Sequence, residues 1–347
     1  MLIFFFVFIG LSFLILAHEA GHFLVAKIFG LKIDEFGFGF PPRLFAKKRG
    51  ETEYSINWLP FGGFVKIAGE QAPESGKESA PPKDEAELKR YFHVQSPLRR
   101  AAITIAGVLV NFFLGWLLLS VIFMVGTPQV LLVGNIEDGS PAAQAGIQRG
   151  DVIAGYKSAD EFIQFVKSRG GEEISINVFR DGEEKEIRVT PRKEILPGQG
   201  AIGVFLEEAG TEQERFFSAL GQGFLASMRI AGLTLQAFYE LLKNLISHGT
   251  LLEGVVGPVG IFAVAHDAGS LGAAYLIQLL AIISVNLAVL NLMPFPALDG
   301  GRLVLILIEK LKGSPLPRRV EMYANATGFV LLIILMVLVT IRDVVQW

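Results

Sequence analysis

An apolar stretch of membrane length with a charged cluster inside it leaves few folds open. Residues 2–17 carry no charge, and the run stays apolar through Phe23, Leu24, Val25 and Ala26, yet His18-Glu19-Ala20-Gly21-His22 sits within it. A run this long reads as a transmembrane helix. Ionisable groups inside one are costly enough to mark function. On a helix, His18 and His22 lie one turn apart on one face. Two imidazoles so placed can hold one zinc ion, and the adjacent Glu19 can take a proton from a water on that ion. A third ligand and an open position for water are still required. No positive region precedes the run, and the motif lies where a signal-peptide cleavage site would be, so the helix is expected to be retained.

Composition agrees with a membrane protein. The 347 residues are 51% hydrophobic and only 19% charged, and there is no Cys, so disulfides and cysteine-ligated metals are excluded. A net charge of −3 gives no sign of a nucleic-acid partner, and none is expected. Four segments are expected to span: 1–26, 101–126, 273–293 and 323–342. Residues 212–248 also hold a long apolar pattern. Arg229 falls mid-run, with Gln222, Gln236, Glu240 and Lys243 around it, which predicts an amphipathic helix lying on a surface. Lys and Arg concentrate in 27–100 and in 299–322, so both segments are expected to be cytoplasmic. The two termini and the segment 127–272 then face outside.

Asn291-Leu292-Met293-Pro294-Phe295-Pro296-Ala297-Leu298-Asp299-Gly300-Gly301 closes the third span. Its prolines must break the helix, and irregular backbone at membrane depth needs protein or a cavity around it. Asp299 can therefore be the third ligand, with water as the fourth. Depth agrees: His18 lies roughly 24 Å along the first span, towards the cytoplasmic side, and Asp299 follows an outside-to-inside span. Were 212–248 to cross the bilayer, the two halves of the site would be roughly 30 Å apart. Four spans, with a surface helix, keep the site together.

With both motifs placed, the chain resembles the site-2 protease family of intramembrane zinc metalloproteases, most of all its bacterial RseP type. The resemblance runs from end to end: His18-Glu19-x-x-His22, Phe38-Gly39-Phe40, Pro60-Phe61-Gly62-Gly63-Phe64-Val65-Lys66, Ala106-Gly107 with Asn111, Gly257-Pro258-Val259-Gly260-Ile261, and Asn291-x-x-Pro294-x-Pro296-x-Leu298-Asp299-Gly300. Val108 departs from it, since many members have Pro there, and one PDZ domain stands where the enterobacterial type has two. The resemblance implies His18, His22 and Asp299 as Zn2+ ligands and Glu19 as catalytic base. Asn291, Pro294, Pro296, Gly62 and Gly63 are implied to handle substrate, with Asn291 holding its backbone near the scissile bond.

Residues 33–67 read as strands and turns. In the family this region is a β-structure that re-enters the membrane near the zinc. A transmembrane helix hides its peptide bonds, so it must be locally extended before attack, and a strand edge can hold it so. Residues 128–207, with Gly139-Ser140-Pro141-Ala142 and Gly150-Asp151-Val152-Ile153, resemble a PDZ domain of bacterial proteases. A helix at 159–168 and strands at 173–179 and 184–190 are expected there, joined by an Asp181-Gly182 turn. Ile202, Gly203 and Val204 then play the carboxylate-binding loop and strand of a circularly permuted PDZ domain. Capture of a chain end and simple steric filtering both stay open for it. The stretch 69–97 reads as a solvated linker with a short helix at 84–90.

The expected fold is thus a polytopic α-helical membrane protein of about four transmembrane helices, with a membrane-associated β-hairpin or sheet and one extracytoplasmic α+β PDZ domain. Residues 249–272 connect the surface helix to the third span, and 294–322 hold the Asp299 turn and a cytoplasmic helix. The expected function is intramembrane proteolysis in a bacterial inner membrane. Single-pass membrane proteins, anti-sigma factors or remnant signal peptides, would be cut after trimming outside by a site-1 protease. The rival readings are a non-catalytic PDZ scaffold, which would not need Glu19, and a metal-gated transporter, for which no paired broken helix is found.

Overall fold

The computed structural model describes residues 2–70, 84–156, 158–180, 183–195, 199–248 and 257–346. The Asp181-Gly182 turn, residues 71–83 of the linker and residues 249–256 of the connection to the third span lie outside the described residues.

Along the chain, helix α1 (Leu2–Ile28) leads to strands β1 (Ile33–Arg49) and β2 (Thr52–Ile67), helix α2 (Glu85–Leu88), a 3-10 turn and helix α3 (Pro97–Val125). There follow β3 (Thr127–Ile136), α4 (Pro141–Ala145), β4 (Val152–Ile153), α5 (Ala159–Ser168), β5 (Ile174–Arg180), β6 (Glu183–Val189) and β7 (Val204–Thr211). Helices α6 (Phe216–His248), α7 (Pro258–Leu271), α8 (Ala273–Leu292), α9 (Asp299–Lys312) and α10 (Arg318–Gln346) complete it. These elements form two compact units, one of Met1–Leu119, Gly223–His266 and Leu276–Trp347, the other of Ser120–Gln222 and Asp267–Tyr275.

Helices α1, α3, α8 and α10 are long and apolar enough to cross a membrane, and α6 is not among them. Within their apolar windows only 17–33% of residues are buried. Phe5, Phe13, Leu117 and Phe329 point outward, at least half exposed. So much exposed apolar surface far exceeds what a water-soluble monomer presents, and lipid is its natural solvent. Burial of apolar area does not drive helices together in lipid, so close packing at small residues takes over. Gly10 lies against Leu280, and Gly115 against Val285 and the Ala281 carbonyl.

The sheet of the first unit is folded back on itself. The Glu35–Phe38 stretch pairs on one side with Glu53–Ile56 and on the other with Gly63–Lys66, while residues 43–49 pair with 52–57. This leaves the Gly63–Lys66 stretch at an edge beside α1, where Gly63 meets Leu16. Ala26, Leu31, Ile33, Ile67, Phe92 and Ile103 form a small core that joins the end of α1 to the sheet and to α3.

Helix α7 is one the sequence reading did not give, within the connection at 249–272. Its Gly-rich sequence has low helix propensity. The Asp343 side chain of α10 caps it, accepting from Gly257 N–H (3.3 Å) and Gly260 N–H (2.8 Å). The cap comes from 83 residues away in sequence, so no local signal carries it.

The second unit is built around an antiparallel five-stranded sheet in the order β6-β5-β4-β3-β7. Its core gathers Leu131, Val133, Val178, Phe162 and Val166. The spacing predicts a helix at 159–168, and α5 occupies those residues, with Ser158 accepting from Glu161 N–H as its N-cap. Strand β7 is an edge of this sheet and continues to Thr211.

Candidate metal centre

The centre starts from a close helix crossing. At Gly21 of α1 an added methyl group would lie 2.7 Å from the Ala106 carbonyl oxygen, and at Gly107 of α3 one would lie 2.5 Å from His22 Nε2 and 2.9 Å from His18 Cε1. Both positions must be glycine for the helices to meet. The rings of His18 and His22 are therefore pressed onto bare α3 backbone. His22 Nδ1 is 2.8 Å from the Ile103 carbonyl oxygen. That oxygen can only accept, so Nδ1 carries the proton and Nε2 turns a lone pair into the site.

The third group arrives from the break after α8. The helix ends at Leu292 and resumes at Asp299, as the two prolines require. Gly300 is pressed against the Leu292 and Met293 carbonyls, and Gly301 against that of Phe295. From α10, Asn325 Oδ1 accepts the Ala297 N–H at 3.3 Å, and Gly328 lies against the Pro296 carbonyl. Ala297 is held at φ 75°, a left-handed conformation uncommon outside glycine. Further along α9, Glu309 pairs with Arg100 of α3 at 2.6 Å.

These supports bring three atoms together. His18 Nε2 and His22 Nε2 are 3.1 Å apart, and Asp299 Oδ2 is 3.0 Å from the first and 3.4 Å from the second. Oδ2 is buried and, among the described residues, has no partner of hydrogen-bond geometry. Two imidazole lone pairs and a carboxylate oxygen facing one point repel unless a cation lies between them. Tetrahedral zinc with bonds of about 2.0 Å sets its ligand atoms about 3.3 Å apart, close to the observed spacing. The donor set therefore fits zinc.

A cavity of about 370 Å3 opens beside the cluster, walled by His18, Glu19, His22, Asp299 and by Asn291 of α8. Val65 N–H, on the sheet edge, donates to Glu19 Oε2 at 3.1 Å. The site residues named from sequence are distributed as follows. His18, Glu19, His22, Asn291 and Asp299 share the cavity, whereas Pro294, Pro296, Gly62 and Gly63 lie outside its wall. The prolines shape the turn, and Gly62 and Gly63 let β2 approach Ile15 and Leu16 of α1. Phe64 and Val65 line the cavity in their place. Ile202, Gly203 and Val204 belong to the second unit, at the start of β7. There the Ile202 carbonyl accepts from Ala142 N–H and the Gly203 carbonyl from Glu137 N–H, and Val204 pairs with Ile136.

Sequence reasoning missed Glu70 and Arg302, which pair with each other in the cavity wall, and gave Asn111 no role there. The signal for Arg302 was its place three residues after Asp299. Glu70 had none, since its proximity depends on how β2 ends.

Comparison with known proteins agrees with this geometry. The sequence profile of peptidase family M50 matches residues 6–335. A Clostridium perfringens protein with a provisional zinc metalloprotease name is 34% identical, over 98% of both chains. A similarly named Synechocystis protein is 35% identical, over 96% of this chain and 92% of its own. The Bacillus subtilis regulator of sigma-W protease RasP is 28% identical over 95% of each. With a zinc-compatible donor set and four apolar helices on the same chain, these matches lead to one conclusion: the chain belongs to peptidase family M50, the site-2 protease family, and is a zinc metalloprotease of the membrane.

Proposed function

We propose that the enzyme is an endopeptidase that cuts transmembrane segments within the bilayer, with His18, His22 and Asp299 as its zinc ligands. The observation that carries this reading is the meeting of a span's His pair with Asp299 in a cavity walled by apolar helices. When bound, zinc supplies a Lewis acid that polarises a carbonyl and lowers the pKa of water. Glu19, beside both histidines, takes a proton from the attacking water and delivers it to the leaving nitrogen. Val65 N–H steadies one of its oxygens and leaves the other for the proton. Asn291 hydrogen-bonds the substrate backbone.

The sheet edge at Gly63–Lys66 serves as the template on which the substrate is drawn out. It lies beside α1 and contributes Phe64 and Val65 to the cavity. An extended chain added to that edge exposes the peptide bond that a helix would hide. The second unit is a circularly permuted PDZ domain with its peptide groove at Ile202, Gly203, Val204 and the free side of β7. The charge distribution supports an inner-membrane protein with cytoplasmic 27–100 and 299–322 segments, an extracytoplasmic PDZ domain and both termini outside. Substrates are single-pass membrane proteins already trimmed by a site-1 protease. Anti-sigma factors lead, in keeping with the name of the Bacillus relative, and remnant signal peptides follow.

The test compares purified wild type with Glu19→Gln for bound zinc and for cleavage of a transmembrane peptide in lipid. Zinc is expected in both, with cleavage about 10^2–10^4-fold slower in the variant. Equal cleavage by the two would refute the role of Glu19, and wild type that binds no zinc would refute the centre.

A further inference from the structure

Asn111 stands on the cavity wall with an unexplained side chain. It is 1% exposed, the most buried polar group of the wall. Among the described residues, neither Nδ2 nor Oδ1 has a hydrogen-bond partner. Its backbone is pinned, since Ser284 Oγ of α8 donates to the Asn111 carbonyl at 2.8 Å. It lies one turn along α3 from Gly107, about 6 Å from where both imidazoles touch that helix. A buried carboxamide with both ends unmet is a rare arrangement, and each such group calls for a partner from outside the fold. A leucine would fill a similar volume without that penalty.

The unmet pair, one donor and one acceptor, specifies the partner. An extended peptide residue presents its own C=O and N–H on the same side, as strands do to one another. The carboxamide matches that pair: Nδ2 donates to the carbonyl and Oδ1 accepts from the N–H. Phe64 and Val65 of the sheet edge line the same cavity. A chain lying along that edge keeps its second side free for a further partner. We propose that Asn111 is a substrate-binding residue that clamps one extended residue of the substrate backbone through the hydrogen-bonding groups that the sheet edge leaves unpaired. This rests on the endopeptidase reading above and adds a contact to it.

The test uses the full chain in lipid: wild type, Glu19→Gln, Asn111→Leu and Asn111→Ala, each with one transmembrane peptide. Bound zinc, melting temperature, kcat and KM are measured. Asn111→Leu is expected to keep its zinc, to melt no lower than wild type, and to lose about ten- to hundredfold in kcat/KM, mainly through KM. Asn111→Ala, which leaves room at the helix contact, should show the same kinetic loss and guards against a leucine that fails to pack. Cleavage by both variants within about twofold of wild type would overturn the clamp. So would a loss that tracks lowered melting temperature and zinc content, or a loss in kcat alone. If wild type cleaves no faster than Glu19→Gln, the endopeptidase reading itself fails and the clamp with it.

Discussion

Two buried aspartates, one in each unit, are treated in opposite ways. Asp151 in the second unit is 1% exposed and fully partnered: Arg180 donates to both of its oxygens at 2.7 Å, and Gln148 N–H adds a third bond at 2.9 Å. Asp299 in the first unit has an 85% buried side chain, yet its Oδ2 faces two imidazole nitrogens without a hydrogen bond. The chain completes the first carboxylate itself. On the function proposed above, it leaves the second to a zinc ion. A buried charge with an internal partner holds structure together, and one without is a binding site.

The sharpest way to break this comparison is to remove each carboxylate in turn. Asp299→Ala is expected to abolish stoichiometric zinc and reduce cleavage about ten-thousandfold. In the presence of a chelator its melting temperature should be no lower than that of wild type, because the fold never relied on that group. A clear loss of stability in the metal-free protein would show that the two aspartates are alike after all. Asp151→Ala should behave in reverse. It removes the carboxylate that Arg180 grips and is expected to cost about 3 kcal/mol in the second unit, read by denaturant titration, with zinc per folded molecule unchanged.

A third change probes the helix contact on which the metal site depends. Gly107→Ala puts a methyl group 2.5 Å from His22 Nε2. Overpacking of this kind costs about 1–3 kcal/mol. Since the clash is at His22, a proposed ligand, zinc affinity should fall about tenfold or more, measured by competition with a chromophoric chelator. Unaltered affinity would mean that α3 moves freely. The smallest effect concerns acid. Burial opposes ionisation of Glu35 in β1, but hydrogen bonds from Ser55 and Lys66 and the charges of Lys66 and Arg43 hold its carboxyl below the usual 4.5. A depressed folded value stabilises the protein fully above about pH 4.5 and is lost as pH falls through that lower value. The wild-type melting temperature should therefore drop more steeply below pH 4.5 than that of Glu35→Gln, and parallel curves would remove the assignment.

Much of the architecture was legible because each signal was local. Membrane-length apolar runs need no partner to be recognised, and the prolines at 294 and 296 must end α8 wherever they sit. The pairing of His18 with Asp299 was reachable only through their matched depth in the membrane and through the family resemblance of the two motifs. Gly21 and Gly107 could have been read as a helix contact, since small residues mark such places in membranes. Helix α7 and the Glu70–Arg302 pair were not legible, because Asp343 and Arg302 come from far along the chain. Phe64 and Val65 line the cavity while Gly62 and Gly63 beside them lie against α1, a division that only the packed sheet displays.

What the sequence alone determined is the chemistry available: two imidazoles one turn apart, a carboxylate beside them, another after a broken helix, and a solvent of lipid around all of it. Those follow from residue type, helix period and hydrophobic length, which are properties of short segments. Which polar groups are left without a partner is settled only when the helices and sheets have packed. Asp151 and Asp299 are both acidic residues near glycine in sequence, and nothing local tells them apart. Arg180 reaches one, and among the described residues no Lys or Arg pairs directly with the other. Asn111 reads as one more polar residue on an apolar helix until its two amide atoms are seen buried and unmatched at the cavity wall. Satisfaction of a buried group depends on every chain that packs against it, so it exists only once the fold is complete.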